Sequence, residues 1–293
     1  MKTYIIGIDR PDSRRRVEVL RNALGGIGEP VWGTDGKLAT TKDLMRHASV
    51  PCQYLCTRTM IAIAMSHMQA WQKARDDDAD LALIFEDDAI VPPDFPAKLR
   101  RVLEASPPFD ILLLGCFNCG METSPGIHPI RALFGGLHAY VVSREGLRAL
   151  AEKSTKAEYH VDVQLGFKHL RIFKVVPDLV VQDFSTSTNA DMGRSPRLMN
   201  EYARNVHVSK NVPLRYFMNS PVCRVGPLEH PLELTPWHLV YAAAGFLAAR
   251  RSPVAWAGVA SFLLLESGFR LLDSKLWFFL LFSLLSLKCW RNC

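Results

Sequence analysis

Three observations predict an α/β protein with an apolar helical appendage. Over the first 190 residues, short apolar runs of strand length alternate with helical segments, the pattern of a sheet covered on both faces. From about residue 232 the composition turns apolar in three long runs, which predicts a hydrophobic helical C-terminal segment. Between them, "LALIFEDD" (81–88) runs an apolar strand straight into Glu86, Asp87 and Asp88.

The elements follow in order. "TYIIGI" (3–8) is rich in isoleucine and suits a buried strand. "SRRRVEVLRNALGG" places Val17, Leu20 and Leu24 at helical spacing, with Gly25 and Gly26 as its stop. "EPVWGTDGK" gives a brief strand and a turn at Asp35-Gly36. Residues 58–75 contain no Gly or Pro and read as a mostly buried helix, with "DDDAD" as its solvated exit. "DFPAKLRRVLEAS" is a helix, "FDILLLG" (109–115) a buried strand, "GLHAYVVS" (136–143) another, and "REGLRALAEKS" a helix. "VDVQLGFKHL" reads as helical, while "RIFKVVP" and "LVVQ" read as extended.

In open α/β sheets, ligands sit at the carboxyl ends of strands. Glu86, Asp87 and Asp88 occupy such an end, and so do Asp9 and Arg10. Three adjacent carboxylates repel one another, and no Lys or Arg follows before Lys98. The cluster is either a solvated turn or the ligand set of a hard divalent cation, which takes oxygen ligands. Alternation along an extended segment puts Glu86 and Asp88 on one side and Asp87 on the other.

The 293 residues suffice for one large core, or for a catalytic domain plus an appendage. A net charge of +6 with no long basic tract excludes a nucleic-acid binder and leaves a phosphate-bearing small molecule or an anionic membrane surface as partner. The N-terminal apolar run is too short for a signal peptide and is broken by Asp9 and Arg10. The expectation is therefore a cytoplasmic-side protein with reduced thiols. Of the seven cysteines, Cys52/Cys56 and Cys116/Cys119 would make a zinc site only if the fold brought all four sulfurs together; buried or loop thiols are the plainer reading.

The runs at 237–249, 254–265 and 276–287 are each shorter than the roughly 20 residues of a spanning helix. They read as helices of a small bundle, as interfacial helices, or as a hairpin dipping into a bilayer. Tryptophans and basic residues near their ends suit a membrane surface. Membrane association through residues 231–293 is the expectation, with the catalytic domain at 1–230.

The ordered series of Asp9-Arg10, "TDG", "SHMQAW", "LIFEDD", "FDILLLG", "GLHAYVVSREGLRAL", "VD" at 161–162 and "VVPDLVVQDFSTST" resembles glycosyltransferase family 25 over residues 3–190. That family includes lipopolysaccharide sugar transferases and collagen galactosyltransferases. The resemblance implies a GT-A-type, Rossmann-like domain using a nucleotide-diphosphate sugar with Mn²⁺ or another divalent cation. It makes Glu86 and Asp88 the metal motif, Asp88 the firmer ligand, and Asp87 a neighbour in the nucleotide-sugar site. Asp9 and Arg10 match the end of the family's first strand, where an arginine can pair with phosphate. Asp35 matches its "DG" turn, a turn that needs no function of its own. Ser66 and His67 match its "SH" pair, although a lone histidine on an apolar helix is commonly a core residue. Gln182 and Ser185 fall in its closing segment. Upstream of Ser66 the family carries Gly-Cys where this chain has Ala62-Ile63.

Asp162 is the candidate general base for an inverting transfer, with substrate orientation or capping of the next helix as the other roles open to it. The reading is a metal-dependent glycosyltransferase moving a sugar, with galactose the family's suggestion, from a UDP-sugar to a carbohydrate or glycoconjugate hydroxyl. The competing reading is a non-catalytic binding protein that keeps the fold. A nucleotidyltransferase would want a glycine-rich loop after the first strand, and "GIDRPDSRRR" has none.

Overall fold

The computed structural model describes residues 1–117, 119–120, 122–130, 133–186, 196–203, 206–209, 212–266 and 273–291. The chain divides into two compact units, Met1–Ser187 and Thr188–Cys293. The expected boundary near residue 230 therefore falls inside the second unit.

The first unit runs β1 (Lys2–Ile8), α1 (Pro11–Ala23), β2 (Glu29–Gly33), α2 (Thr41–His47), α3 (Val50–Leu55), α4 (Arg58–Asp76), β3 (Leu81–Glu86), β4 (Ala89–Ile90), α5 (Phe95–Ala105), β5 (Ile111–Phe117), β6 (Gly126–Pro129), β7 (Gly135–Ser143), α6 (Arg144–Lys153), α7 (Val161–Leu165), β8 (Ile172–Val176) and β9 (Val181–Gln182). Seven strands form one mixed sheet in the order β2-β1-β3-β7-β5-β8-β6. β7 and β6 run against the other five. This is the α/β sheet that the alternation predicts, mixed in direction and Rossmann-like as the family resemblance implies. The extended stretches at 171–177 and 179–182 become β8 and the short β9, and the latter pairs with β4 outside the main sheet.

Strand alternation sorts the side chains onto two faces. Ile5, Leu83 and Phe85 join Val17 and Leu20 of α1 and Phe95 and Leu99 of α5 in one core. Tyr4, Ile84 and Tyr140 are also buried and fall on the other face, where α4 packs on β1 and β2 with α6 and α7 alongside. The helix expected over 161–170 ends at Leu165, because Gly166 follows and His169 takes a left-handed backbone at φ 52°. α2 and α3, absent from the sequence reading, are short helices capped by Thr40 and Ser49.

The reduced thiols expected at Cys52, Cys56, Cys116 and Cys119 are corrected by two disulfides, which also remove the four-sulfur zinc option. The i,i+4 spacing at the end of α3 brings the Cys52 and Cys56 Cα atoms to 4.6 Å, and the Cys116 and Cys119 Cα atoms lie 6.2 Å apart at the end of β5. Both separations lie within disulfide range.

The second unit contains α8 (Arg197–Tyr202), β10 (His207–Ser209), β11 (Val212–Pro213), α9 (Leu214–Asn219), β12 (Cys223–Val225), β13 (Leu232–Leu234), α10 (Pro236–Arg251), α11 (Pro253–Glu266) and α12 (Ser274–Arg291). The three apolar runs are helices, as expected. α10 and α12 approach so closely that a Cβ on Gly245 would sit 2.2 Å from the Phe279 carbonyl oxygen. Ser283 Oγ bonds the carbonyls of Gly245 and Phe279, and Ser286 Oγ that of Phe246. Trp237, Tyr241, Leu263, Leu276 and Phe279 form a small core. Large side chains such as Leu239, Leu247, Leu281 and Leu284 point outward, at 51–71% exposure. Among the described residues, no helix is long and apolar enough to cross a membrane.

Candidate functional site

The sheet brings four chain segments to one end. β1 and β3 lie parallel with Ile6 opposite Glu86, so the segment Ile8-Asp9-Arg10 leaves the sheet beside the acidic cluster. β3 and β7 are antiparallel with Phe85 opposite Ala139, so the start of β7 adjoins the end of β3. β4 pairs with β9, placing Gln182 opposite Ala89. Because β1 leads to β2 on one side while β3 lies on the other, this end is the switch point of the sheet, where α/β proteins hold ligands.

Alternation then splits the acids. Phe85 faces the α1 side, so Glu86 turns to the α4 side, Asp87 back to α1, and Asp88 again away. The contacts follow this rule. Asp87 accepts hydrogen bonds from Ser13 Oγ and, at 2.9 Å, from Arg16 Nη2, both on α1. Burial pushes the Asp87 carboxyl up, and these two partners offset part of the shift. Its charge is matched within the fold, which makes it a strut between β3 and α1.

Glu86 and Asp88 share Gln182 instead. Its Nε2 lies 3.0 Å from Asp88 Oδ2 and 3.5 Å from Glu86 Oε2. Burial raises the Glu86 carboxyl, but the His67 hydrogen bond and the electrostatic pull of the His67 and His138 rings together outweigh it and hold the carboxyl below its ordinary value. For Asp88 the Gln182 hydrogen bond is too weak an offset. Burial and the neighbouring Glu86 charge push it well above the usual carboxylate range. Asp88 Oδ1 and Gln182 Oε1 are buried without a hydrogen-bond partner. Asp88 is half-buried, not an exposed acid at a strand tip.

These groups pass a chemical test for a hard cation. Two carboxylates share one partial positive charge, the Gln182 amide, and a buried carboxylate oxygen is left unbonded, an arrangement that costs stability without compensation. Oxygen donors of this kind fit Mg²⁺ or Mn²⁺, which take one or two carboxylates and complete their shell with water and phosphate. Among the described residues, no group of three or more His, Cys, Asp or Glu side chains could hold a metal by itself.

The other sequence-predicted residues are distributed around this centre. His67 lies behind it, buried, with Nε2 at 3.1 Å from Glu86 Oε1 and Nδ1 at 2.8 Å from the Tyr140 hydroxyl. Ser66 points elsewhere: its Oγ donates to the Ala62 carbonyl and accepts from Thr34 N at 2.9 Å, tying α4 to the end of β2. Gly33 is required there, since a Cβ would stand 2.2 Å from Ser66 Oγ. Arg10 and Asp35 pair with each other through two 2.5 Å hydrogen bonds, and Asp35 also accepts from Lys37 N. Asp9 accepts from Arg14 Nε at 2.5 Å, and the Arg14 hydrogen bond holds its carboxyl down. The Arg14 guanidinium in turn lies 4.7 Å over the Trp32 ring.

Asp162, in the first turn of α7, is oriented by backbone alone. Gly136 N donates to its Oδ2 and Val163 N to its Oδ1, both at 2.8 Å. Gly136 is the second residue of β7, so this bond holds Asp162 at the site's end of the sheet. Ser185 bonds to Asp183 and not to Glu86 or Asp88. The rest of its stretch, Ser187 and Thr188, lies outside the described residues.

Sequence reasoning missed Ser13, Trp71, Tyr140 and His138. Trp71 had a signal, because it stands at i+4 from His67 on one helix face. Tyr140 and His138 had a weaker one, because alternate positions of one strand share a face. His138 Nε2 lies 3.2 Å from the Val180 carbonyl, and Gly115 makes room for that carbonyl.

Residues 39–119 match the family model described as glycosyltransferase family 25 (LPS biosynthesis protein). The matched stretch contains Ser66, His67 and the acidic cluster, and it supports a glycosyltransferase with a sugar donor and an acceptor as its partners. No curated protein matches the chain. Among solved structures, the chain is similar to A197 from STIV at 12% identity and TM-score 0.37, covering 60% of this chain and 82% of that one. It is also similar to a mannose-1-phosphate geranyltransferase from Thermus thermophilus at 12% identity and TM-score 0.34, covering 71% and 81%. Likeness at that level carries no argument about chemistry.

Proposed function

We propose that the first unit is a GT-A-type glycosyltransferase that moves a hexosyl group from a UDP-sugar to a hydroxyl of a carbohydrate or glycoconjugate, with inversion. One observation carries this reading. The end of β3 presents Asp88 and Glu86, with a buried, unbonded carboxylate oxygen, at the switch point of the sheet. A divalent cation, Mn²⁺ by the family resemblance, would be held by Asp88 and Glu86, with water and phosphate completing its shell. It supplies charge neutralisation of the diphosphate leaving group.

The chain's own residues do the rest. Arg10, already aligned by Asp35, would meet a phosphate at this end of the sheet, and the Asp9–Arg14 pair follows β1 at the same end. Asp162 keeps a free lone pair on each oxygen after accepting its backbone hydrogen bonds, so it can take the proton of the acceptor hydroxyl. Galactose is the sugar suggested by the resemblance. Screening nucleotide sugars for hydrolysis in the absence of acceptor tests the activity. Turnover that requires Mn²⁺ or Mg²⁺ is expected with at least one UDP-sugar. Binding of a UDP-sugar with no turnover under any condition would favour the non-catalytic reading.

We also propose that the second unit docks on a membrane surface. Small residues, Gly245, Ser283 and Ser286, face inward between α10 and α12, while leucines face out. Small residues at the close contact of α10 and α12, with leucines outside, suit helix packing in lipid. A run of exposed leucines of this kind marks an interaction surface. The full chain is expected to float with liposomes containing anionic lipid. A chain that remains at the bottom of the gradient with and without liposomes contradicts this.

A further inference from the structure

Behind the acidic cluster, Trp71, Tyr140 and His67 are buried to 3%, 0% and 1% exposure. Their polar atoms form a series that ends on Glu86. The direction of that series is fixed by chemistry. An indole N–H can only donate, so the Tyr140 hydroxyl oxygen accepts from Trp71 Nε1 at 2.9 Å. The phenol proton then goes to His67 Nδ1 at 2.8 Å. As an acceptor, Nδ1 carries no proton, so the neutral imidazole holds its proton on Nε2 and donates it to Glu86 Oε1 at 3.1 Å. The opposite tautomer would turn a nitrogen lone pair toward a carboxylate. It would also send two donors to the Tyr140 oxygen and strand the phenol proton in an apolar interior. Both changes are unfavourable in a buried site.

We propose that Trp71 and Tyr140 are positioning residues: they set the tautomer of His67, and His67 pins one oxygen of Glu86 so that the other faces Gln182 and the donor. The inference rests on the donor-site reading above. It assigns His67 a place behind Glu86 instead of against the sugar nucleotide, which explains why a motif histidine is sealed from solvent. The ring contacts agree, with the imidazole centroid 6.1 Å from Trp71 and 5.8 Å from Tyr140. Burial raises the Tyr140 phenol well above its ordinary value, so it stays a proton donor throughout the working range.

Imidazole ¹⁵N spectra and Mn²⁺ binding, measured on the full chain, test this. The wild type should show His67 protonated on Nε2 and bare on Nδ1. Tyr140→Phe keeps the ring and removes the hydroxyl, so it should shift or split that signal and weaken Mn²⁺ binding about 10- to 100-fold, the usual scale for losing an outer-shell partner. Trp71→Phe provides a second variant, with a smaller effect in the same direction. His67→Ala should match Tyr140→Phe in Mn²⁺ affinity. His67→Gln, whose amide N–H can replace the donor to Glu86, should recover most of it. A wild-type imidazole protonated on Nδ1 would overturn the proposal, and so would a Tyr140→Phe protein with unchanged tautomer and Mn²⁺ affinity. If the wild type binds no Mn²⁺ at all, the donor-site reading fails, and the tautomer spectra alone decide whether the relay exists.

Discussion

Asp88→Asn should lower cation-dependent donor turnover by roughly 10²–10⁴-fold while leaving the protein at least as stable as the wild type. The first effect follows from losing a charged ligand beside a diphosphate, which costs several kcal/mol of leaving-group stabilisation. The second follows from the fold. Asp88 shares its side of the strand end with Glu86 and has one oxygen buried and unbonded, so its charge is a liability when no cation is present. Asn keeps the size and shape, removes the repulsion, and still offers an oxygen to Gln182 Nε2. Hydrolysis kinetics and thermal unfolding of the same preparation check both halves. Activity retained within a factor of two would remove Asp88 from the site; a large loss of stability would make it structural.

Asp162→Asn is expected to reduce sugar transfer by on the order of 10²–10⁴-fold with donor affinity nearly unchanged. An amide cannot abstract the acceptor proton. It also cannot accept from both Gly136 N and Val163 N, because one of its ends is now a donor. A loss of about 1–3 kcal/mol in stability should accompany the kinetic effect, as a backbone N–H loses its partner. Comparing transfer with acceptor-free hydrolysis separates the roles. A base for the acceptor hydroxyl affects transfer, whereas a donor-site residue would weaken UDP-sugar binding as well. Collapse of donor binding would move Asp162 to the nucleotide or cation site.

Much of this arrangement could be read from local patterns. Strand-length apolar runs alternating with helical segments are sufficient for an α/β sheet, because both periodicities are short-range. The apolar strand ending in Glu86-Asp87-Asp88 marks the switch point, and period-two alternation separates Asp87 from its neighbours. What the acids bond to was not legible. Ser13 and Arg16 lie over 70 residues from Asp87 in sequence, and Tyr140 is 73 residues from His67. Such pairings depend on strand order, which no single segment encodes. The motif residues Arg10 and Asp35 turn out to bind each other, a salt bridge that neither residue's local context announces. Similarly, the 196–234 stretch has no sustained period. Its short helices and two-stranded ribbons take shape from packing within the second unit.

The central claim is that this sheet end holds a nucleoside diphosphate through a divalent cation. Calorimetric titration of the full-length protein with UDP, with Mn²⁺ and then with the metal chelated, tests it most directly. Saturable UDP binding is expected in Mn²⁺, with near-complete loss on chelation and recovery of the affinity when Mn²⁺ is returned. UDP binding of equal strength with and without the cation would contradict it.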